Sequence, residues 1–549
     1  MTEERAAPSA ATPSVGRASA LLASGTFVSR ALGFVSAAAL AWTIGQQNQG
    51  ANAFAIANQL PNNIYALIAG GLLSAVIVPQ IVRAAHHEDG GQRFVNRLVT
   101  LSIAIFLGIS LLATLCAPLL VSLYTATGGA LDGQGIALAV SFAYWCLPQI
   151  FFYALYSLLG EILNARHVFG PFTWAPVLNN VVVIASLIFF AVMFNVDPAH
   201  RDPGSWNSAQ ISLLAGGATL GVAAQALVLL VFWRRTGLGF RPDFRWRGVG
   251  LGATGRAAGW TFGMILATQL AGIVQSRVAT LADIDDPSVA VLRTTWLIFM
   301  LPHSIVAVSI ATPYFTRMSG HARDGNLGSV RADLSSSLRT IGLLMTGAAA
   351  ALIAAAIPFA AFFANSDFEV VGISSVLLAY LIGLVPFSVL FLLQRGFFAL
   401  GDTRTPFFLQ LVQSGLFVAG AIGCAFLPPQ FIAVGIAAVT SVAGTLQAIV
   451  AFVVLRRRLG GIDGRRVLAR YAVYLVAAIP ALAAGVGAFA LLGGVGGDGF
   501  ALSGKAAELL SVATIGTVSL IVYGLTLMLF RIPELRELTA PVARAIRRR

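Results

Sequence analysis

Read for hydrophobic and polar positions, the chain alternates between long apolar runs and short polar connections. A helix needs about 20 apolar residues to cross a bilayer. Fourteen segments qualify: 19–44, 55–83, 98–124, 136–164, 171–195, 207–233, 257–282, 287–316, 337–364, 373–399, 406–428, 431–455, 468–493 and 506–530. The predicted class is an all-α polytopic membrane protein with about fourteen transmembrane helices. The connections support the alternation. Every second one carries arginine, as in 83–97 (RAAHHEDGGQRFVNR), 164–167, 234–256, 317–339, 395–404 and 456–470 (RRRLGGIDGRRVLAR). The intervening loops are neutral or acidic (GQQNQGAN, DIDDPS, ANSDFE), with Arg201 and Lys505 as their basic residues. The positive-inside rule then puts the arginine loops and both termini in the cytoplasm, including the basic end ARAIRRR.

The two halves of the pattern repeat. LLGEILNARHVFGPF (158–172) and LLQRGFFALGDTRTPF (392–407) each join an apolar helix, a basic turn and a proline-started helix, at the fourth-to-fifth and tenth-to-eleventh positions. Leu60-Pro61 and Leu301-Pro302 mark the second and eighth segments alike. Two pseudo-symmetric six-helix lobes follow, 19–235 and 257–458, with helices 13 and 14 at 466–531 appended. A cytoplasmic disordered tail occupies 1–18 and a basic cytoplasmic tail 532–549. Parallel repeats of this kind place a transport site between the lobes. Helix 2 (Pro61, Gly70-Gly71, Pro79) and helix 8 (Pro302, Pro313) carry ladder-breaking residues, either as ordinary kinks or as the lining of a wet cavity.

Composition narrows the class. Of 549 residues 57% are hydrophobic and 10% charged, against roughly 25% charged in soluble domains. The net charge of +13 is spread over short clusters between apolar runs, so it sets topology and does not mark a nucleic-acid surface. Cys116, Cys146 and Cys424 lie in apolar runs without metal-ligand spacing, and no disulfide framework is expected. The N-terminal residues carry no cleavable signal pattern. No nucleophile constellation, metal cluster or phosphate loop is present, so no cofactor is expected and the chain reads as a transporter, not an enzyme. Transport would be driven by an ion gradient, by membrane potential or by removal of product.

One residue stands against its surroundings. From Ala18 to Gly45 the single charged side chain is Arg30. A cation at the centre of a span opposes insertion by about 2.5–3.5 kcal/mol, so it requires a partner: a bound anion, helix carbonyls or an interior carboxylate.

The stretches SGTFVSRALGF and ANAFAIANQLPNNIYALIAGGLLSAVIVP resemble the start of the MurJ (MviN) family of lipid II flippases. EILNARHVFGPFTWAPVLNN, MLPHSIVAVSIATPYFTRMS and ALGDTRTP continue the likeness through helix 12. The resemblance implies the multidrug/oligosaccharidyl-lipid/polysaccharide exporter fold in the bacterial plasma membrane, with a cationic cavity between the lobes. A groove at helices 13 and 14 would guide the lipid tail. The implied substrate is lipid II, the undecaprenyl-pyrophosphate-linked disaccharide-pentapeptide of the cell wall, moved from the inner to the outer leaflet. Membrane lipids and the cell-wall synthesis machinery are the implied partners.

Carried onto this chain, the resemblance makes Ser29 and Arg30 of S-R-x-L-G-F substrate-binding residues, the guanidinium pairing with pyrophosphate. Asn62 of L-P-N either contacts substrate or caps a break at Pro61. Asn52 stands where many relatives have an aspartate. Several charges of the family are missing: Ser36 and Ala37, Tyr65 and Gly70, and Trp296, Leu297 and Met300 replace them. Arg293 lies one turn before Leu297 on the same helical face. It either fills the lost cationic position or snorkels to the outer interface. Arg277 is a snorkeller or a partner of Asp283, Asp285 or Asp286. Glu161 and Arg395, at matching points of the two repeats, form a candidate inner gate or else pair locally, Glu161 with Arg166. The rivals are an exporter of another polyprenyl-linked glycan or amphipathic drug, and a non-transporting paralogue that scaffolds cell-wall enzymes.

Overall fold

In a computed structural model of the chain, residues 15–69, 91–166, 168, 170–196, 202–245, 255–494 and 499–535 are described, and every regular element among them is a helix. The first half comprises α1 (Val15–Ile44), α2 (Gln49–Ile68), α3 (Gln92–Leu115), α4 (Ala117–Tyr124), α5 (Gly133–Cys146), α6 (Gln149–Ala165), α7 (Gly170–Phe194) and α8 (Ser208–Val231). The second half comprises α9 (Gly255–Ala279), α10 (Val289–Pro302), α11 (Val308–Arg323), α12 (Leu327–Ala354), α13 (Ala356–Phe363), α14 (Asp367–Leu381), α15 (Leu384–Ala399), α16 (Arg404–Cys424) and α17 (Ile432–Arg458). Then come α18 (Gly464–Leu491) and α19 (Lys505–Leu529).

Each of the fourteen apolar segments carries helix, but length and apolarity qualify eleven described helices as spans. They become twelve if α14 and α15, bent by 43°, count as one. The two segments left over are represented by α2 and α9. Within its described residues α2 carries Asn52, Asn58, Gln59, Asn62 and Asn63, and α9 carries Gln269, Gln275, Ser276 and Arg277. These two polar helices pack against each other between the halves. For 55–83 the described part ends at Ala69 and so holds only the polar first half of the segment, whereas α9 falls short through its own glutamines and arginine.

Breaks recur at matching places. Cys116 separates α3 from α4 and Ala355 separates α12 from α13, each followed by an eight-residue helix with an early proline, Pro118 or Pro358. Leu147-Pro148 separates α5 from α6, and Ile382-Gly383 separates α14 from α15 ahead of Pro386. A proline lacks the amide that would continue the ladder, so the chain re-aims there. The reading of helix 2 as broken at Pro61 is corrected: α2 runs through Pro61, whose ring is buried with Ala57 and Leu60 where α5 and α6 pack. Helix 8 is irregular, with a π-helical turn at His303–Ala307 directly after Pro302. Gly70-Gly71, Pro79, Arg201, most of the 83–97 loop and the 536–549 tail lie outside the described residues. Within the proposed 1–18 tail, helix already begins at Val15.

Helices of the first half pack among themselves, as do those of the second, while α18 and α19 pack on α12 and α13. Tyr471 and Tyr523 fasten this last pair by donating to the carbonyls of Leu338 (2.8 Å) and Leu343 (2.9 Å). Glu534 forms ion pairs with Arg339 at 2.7 Å and Arg470 at 3.7 Å. Large apolar side chains on the periphery face outward, Leu115 at 70%, Val192 at 73% and Leu491 at 91% exposure. Such a surface requires a lipid environment.

Candidate functional site

Two cavities open between the helices. The first, about 270 Å³, is lined by α1, α2, α6, α7, α8 and α10, with Asn58, Gln149, Tyr153, Asn179, Asn180 and Arg293 among its residues. Its amides are only partly satisfied. Gln149 donates to Asn58 Oδ1 (3.3 Å) and Thr219 Oγ1 (3.0 Å), but its own Oε1 and the Oδ1 of Asn179 have no protein partner. The second, about 590 Å³, lies in the second half between α9, α10, α14–α17 and one face of α2. Arg293 of α10 lines both, and among the described residues no other charged side chain lines either. Its guanidinium donates to the Ala55 carbonyl of α2 (3.3 Å), while its accessible surface opens into the cavities.

The halves are joined at one end. There Glu369, 2% exposed, accepts from the amides of Gln46 (2.9 Å), Gln47 (3.3 Å) and Asn365 (2.7 Å). Trp42 Nε1 donates to the Phe362 carbonyl (2.6 Å), Thr294 to Gln46 Oε1 (2.9 Å), and the amides of Ala130 and Ala126 to Thr280 (3.0 and 2.8 Å). One apolar cluster runs through both halves here, from Ala38, Phe54 and Phe142 to Phe359, Phe363 and Tyr380. Toward the other end the clusters separate, with Leu159, Leu163 and Leu229 in the first half and Leu334, Leu393, Phe397 and Leu455 in the second. The loops at that separated end carry well-held carboxylates. Side-chain and backbone hydrogen bonds from Arg245, with Arg97, keep Asp243 below the usual carboxylate range. At Asp402 burial opposes ionisation, but bonds from Thr405 and Arg404 and the charge of Arg458 outweigh it and lower its pKa. At the joined end burial, then the neighbouring Asp283, raises Asp286.

The sequence candidates distribute unevenly over this geometry. Arg293 faces the cavities and shares the first with Leu297, so the snorkelling alternative is not the one adopted. Arg30 is exposed, and among the described residues it forms no ion pair and no hydrogen bond, so neither carbonyls nor a carboxylate hold it. It lies within electrostatic reach of His303 of the second half. Ser29 meets the first cavity's wall through its carbonyl, which accepts from Asn180 Nδ2 (2.9 Å). Asn62 is exposed, lines neither cavity and caps no break. Its neighbour Asn63 lines the second cavity, donating to Tyr124 Oη (3.2 Å) and accepting from Gln269 at its carbonyl (2.6 Å).

Asn52 is fully buried and lines no cavity; its Oδ1 accepts from the Ala290 amide (3.0 Å) and so ties α2 to the start of α10. Glu161 and Arg395 do not pair in this conformation, nor does Glu161 pair with Arg166. Arg395 instead stacks over Phe391 and Phe315 at 4.9 and 5.3 Å. Arg277 donates to the Ser122 carbonyl (2.9 Å) and makes no described ion pair with Asp283, Asp285 or Asp286. The amides of the second cavity went unread because they are spread over several helices far apart in sequence, which only the fold brings to one wall.

A family model for the lipid II flippase MurJ matches residues 40–496, most of the chain. The chain belongs to the lipid II flippase MurJ family. Its relatives include the probable lipid II flippase MurJ of Rhizobium meliloti (strain 1021), 28% identical over 445 residues covering 78% of each chain. The lipid II flippase MurJ of Burkholderia cenocepacia is 26% identical over 444 residues, covering 79% of this chain and 82% of its own. Among solved structures, lipid II flippase MurJ in an inward closed conformation superposes with a TM-score of 0.71 at 19% identity, covering 93% of this chain and 98% of that one. An inward-facing multidrug resistance MATE transporter of the MOP superfamily follows at 0.62 and 18% identity, covering 78% and 94%. The fold is therefore shared with the wider exporter superfamily. As a MurJ-family member the chain is a multi-span membrane protein of the lipid II flippase class, and membership, not the cavity's charge, decides this: among the described residues the two cavities are lined by one arginine, Arg293, and Arg30 lines neither.

Proposed function

We propose that the chain moves lipid II from the inner to the outer leaflet by alternating access. The separated end faces the cytoplasm and the joined end the outside. The observation that carries this reading is the position of Arg293, the charged residue that the described linings of a cavity in each half share, with the halves tied most densely at one end. Two lobes hinged in this way admit the pyrophosphate-bearing head from the inner leaflet while the polyprenyl tail stays in lipid. The arginine loops support the orientation, both termini being cytoplasmic. Arg30, exposed and unpaired on α1, is the second phosphate contact, encountered at the entrance before Arg293. A guanidinium suits a pyrophosphate because its donors are fixed in a fork. Fourteen spans and contact with the cell-wall synthesis machinery complete the reading. Substrate must bind the occluded state better than the open one, or no equilibrium shifts.

The replacement of three family charges by Trp296, Leu297 and Met300 supports a second reading, export of a different polyprenyl-linked glycan. One experiment separates them: complementation of a bacterium depleted of its own lipid II flippase, at matched membrane levels. Growth with the wild-type chain and lysis with Arg293→Ala is the expected result. Arg30→Ala is expected to impair growth less. Failure of the correctly inserted wild type would favour the second reading, and growth with Arg293→Ala would remove that residue's role.

A further inference from the structure

The second cavity is lined by amides in numbers that an apolar lobe does not need for packing. Gln269 and Gln275 come from α9, Gln394 from α15, Gln410 and Gln413 from α16, and Gln447 from α17. Three of them form a chain: Gln447 Nε2 donates to Gln410 Oε1 (3.4 Å), whose Nε2 donates to Gln413 Oε1 (2.9 Å) and Ser414 Oγ (3.2 Å). Gln275 and Gln394 have no hydrogen-bond partner among the described residues, although both line the cavity. An amide removed from water without a partner is costly, so groups held this way inside helical spans mark a wet or ligand-filled space.

The opposite wall is aromatic. Trp296 packs edge-on against Tyr380 and Phe387, at 5.5 and 5.7 Å between ring centroids. Apolar faces with a few convergent polar groups are the usual construction of a site for an organic ligand. The amides supply donors and acceptors but no net charge, since Arg293 is the one charged residue among the cavity's described lining. A phosphate would find a single cation here and carbonyl oxygens that repel it. A neutral ligand rich in hydroxyl and acetamido groups would find a partner for each kind of atom. At about 590 Å³ the space is more than twice that of the first cavity.

We infer that the glutamine-lined cavity of the second half binds the uncharged glycan and amide portion of the substrate head, leaving the pyrophosphate to Arg293 at its rim. This rests on the lipid II reading above and adds to it the site that reads the sugar. It also accounts for the loss of Trp296's charged counterpart: at that position the chain gains part of an apolar aromatic wall, Trp296 stacking on Phe299 at 4.9 Å.

The test is a binding measurement on the full-length protein in nanodiscs with two probes, lipid II and undecaprenyl pyrophosphate, which lacks the glycan and peptide. The variants are Gln275→Leu and Gln394→Leu, which break no protein hydrogen bond. The wild type is expected to bind lipid II at least tenfold more tightly than undecaprenyl pyrophosphate. The double variant is expected to lose that preference while holding undecaprenyl pyrophosphate as before, which also reports intact folding. Arg293→Gln is expected to weaken both probes. A double variant that keeps the lipid II preference, or that loses both probes equally, overturns the inference and leaves the flippase reading standing. A wild type with no preference for lipid II overturns both.

Discussion

The two ends of the interface between the halves are built differently. At the joined end a buried carboxylate, a tryptophan and a set of backbone amides stitch loop to loop, and the apolar core is continuous. At the other end Glu161 and Arg395 stand apart, each half closes its own core, and the loops are held by ion pairs within or close to one half, Arg97 with Asp243 and Arg458 with Asp402. The difference is one of reversibility. The joined end uses hydrogen bonds to backbone groups, strong when dry yet each worth only about 0.5–1.5 kcal/mol net. A small set of such bonds can hold a gate without making it permanent.

Forcing the joined end open is the most drastic way to break that contrast. A Cβ at Gly129 would sit 2.2 Å from the Thr280 carbonyl oxygen, and backbone cannot swing aside as a side chain can. Gly129→Val is expected to drive the 125–132 and 280–282 loops apart. Spin labels at the exposed Thr127 and Ile284 should report longer distances by electron–electron resonance. An unchanged distance distribution would show that this contact does not hold the gate.

Removing the carboxylate is a milder intervention. Glu369→Ala leaves the amides of Gln46, Gln47 and Asn365 without their acceptor, and each buried unsatisfied group costs about 1–3 kcal/mol. A lower unfolding temperature is expected, with the joined end opening first. Glu369→Gln keeps one acceptor oxygen and should fall between wild type and alanine. Identical melting of all three proteins would remove Glu369 from the latch.

Acidification should sharpen the contrast with the smallest effect. Asp243 and Asp402 have pKa values below the ordinary carboxylate range. Their contribution is therefore complete above that range and is lost as pH falls through the lowered values. Asp286 is shifted the other way, so the folded state gains as pH falls through its raised value. Hydrogen exchange, corrected for intrinsic rates, should quicken in 238–245 and 401–405 at low pH while 283–288 holds or slows. Equal acceleration at both ends would contradict these assignments.

What the amino-acid sequence determined is the part governed by one-dimensional rules. Apolar runs of spanning length, alternating loop charge and the S-R-x-L-G-F and L-P-N elements pointed to helices, class and family, because bilayer thickness and helix rise act on consecutive residues. That Arg293 shares a face with Leu297 was legible for the same reason, since the two are one helical turn apart and line the first cavity together. Tertiary structure decided the rest. Asn52 read as a substrate contact and proved to hold the start of α10, because only packing brings Ala290 beneath it. The breaks at Cys116, Leu147-Pro148, Ala355 and Ile382-Gly383 were hidden inside runs whose apolarity never lapses. Gln275, Gln394, Gln410 and Gln447 lie on four helices, and each alone is an ordinary polar residue in a span. They become a site only where the fold brings them to one wall, because hydrogen bonding acts over a few ångströms of space whatever the distance along the chain.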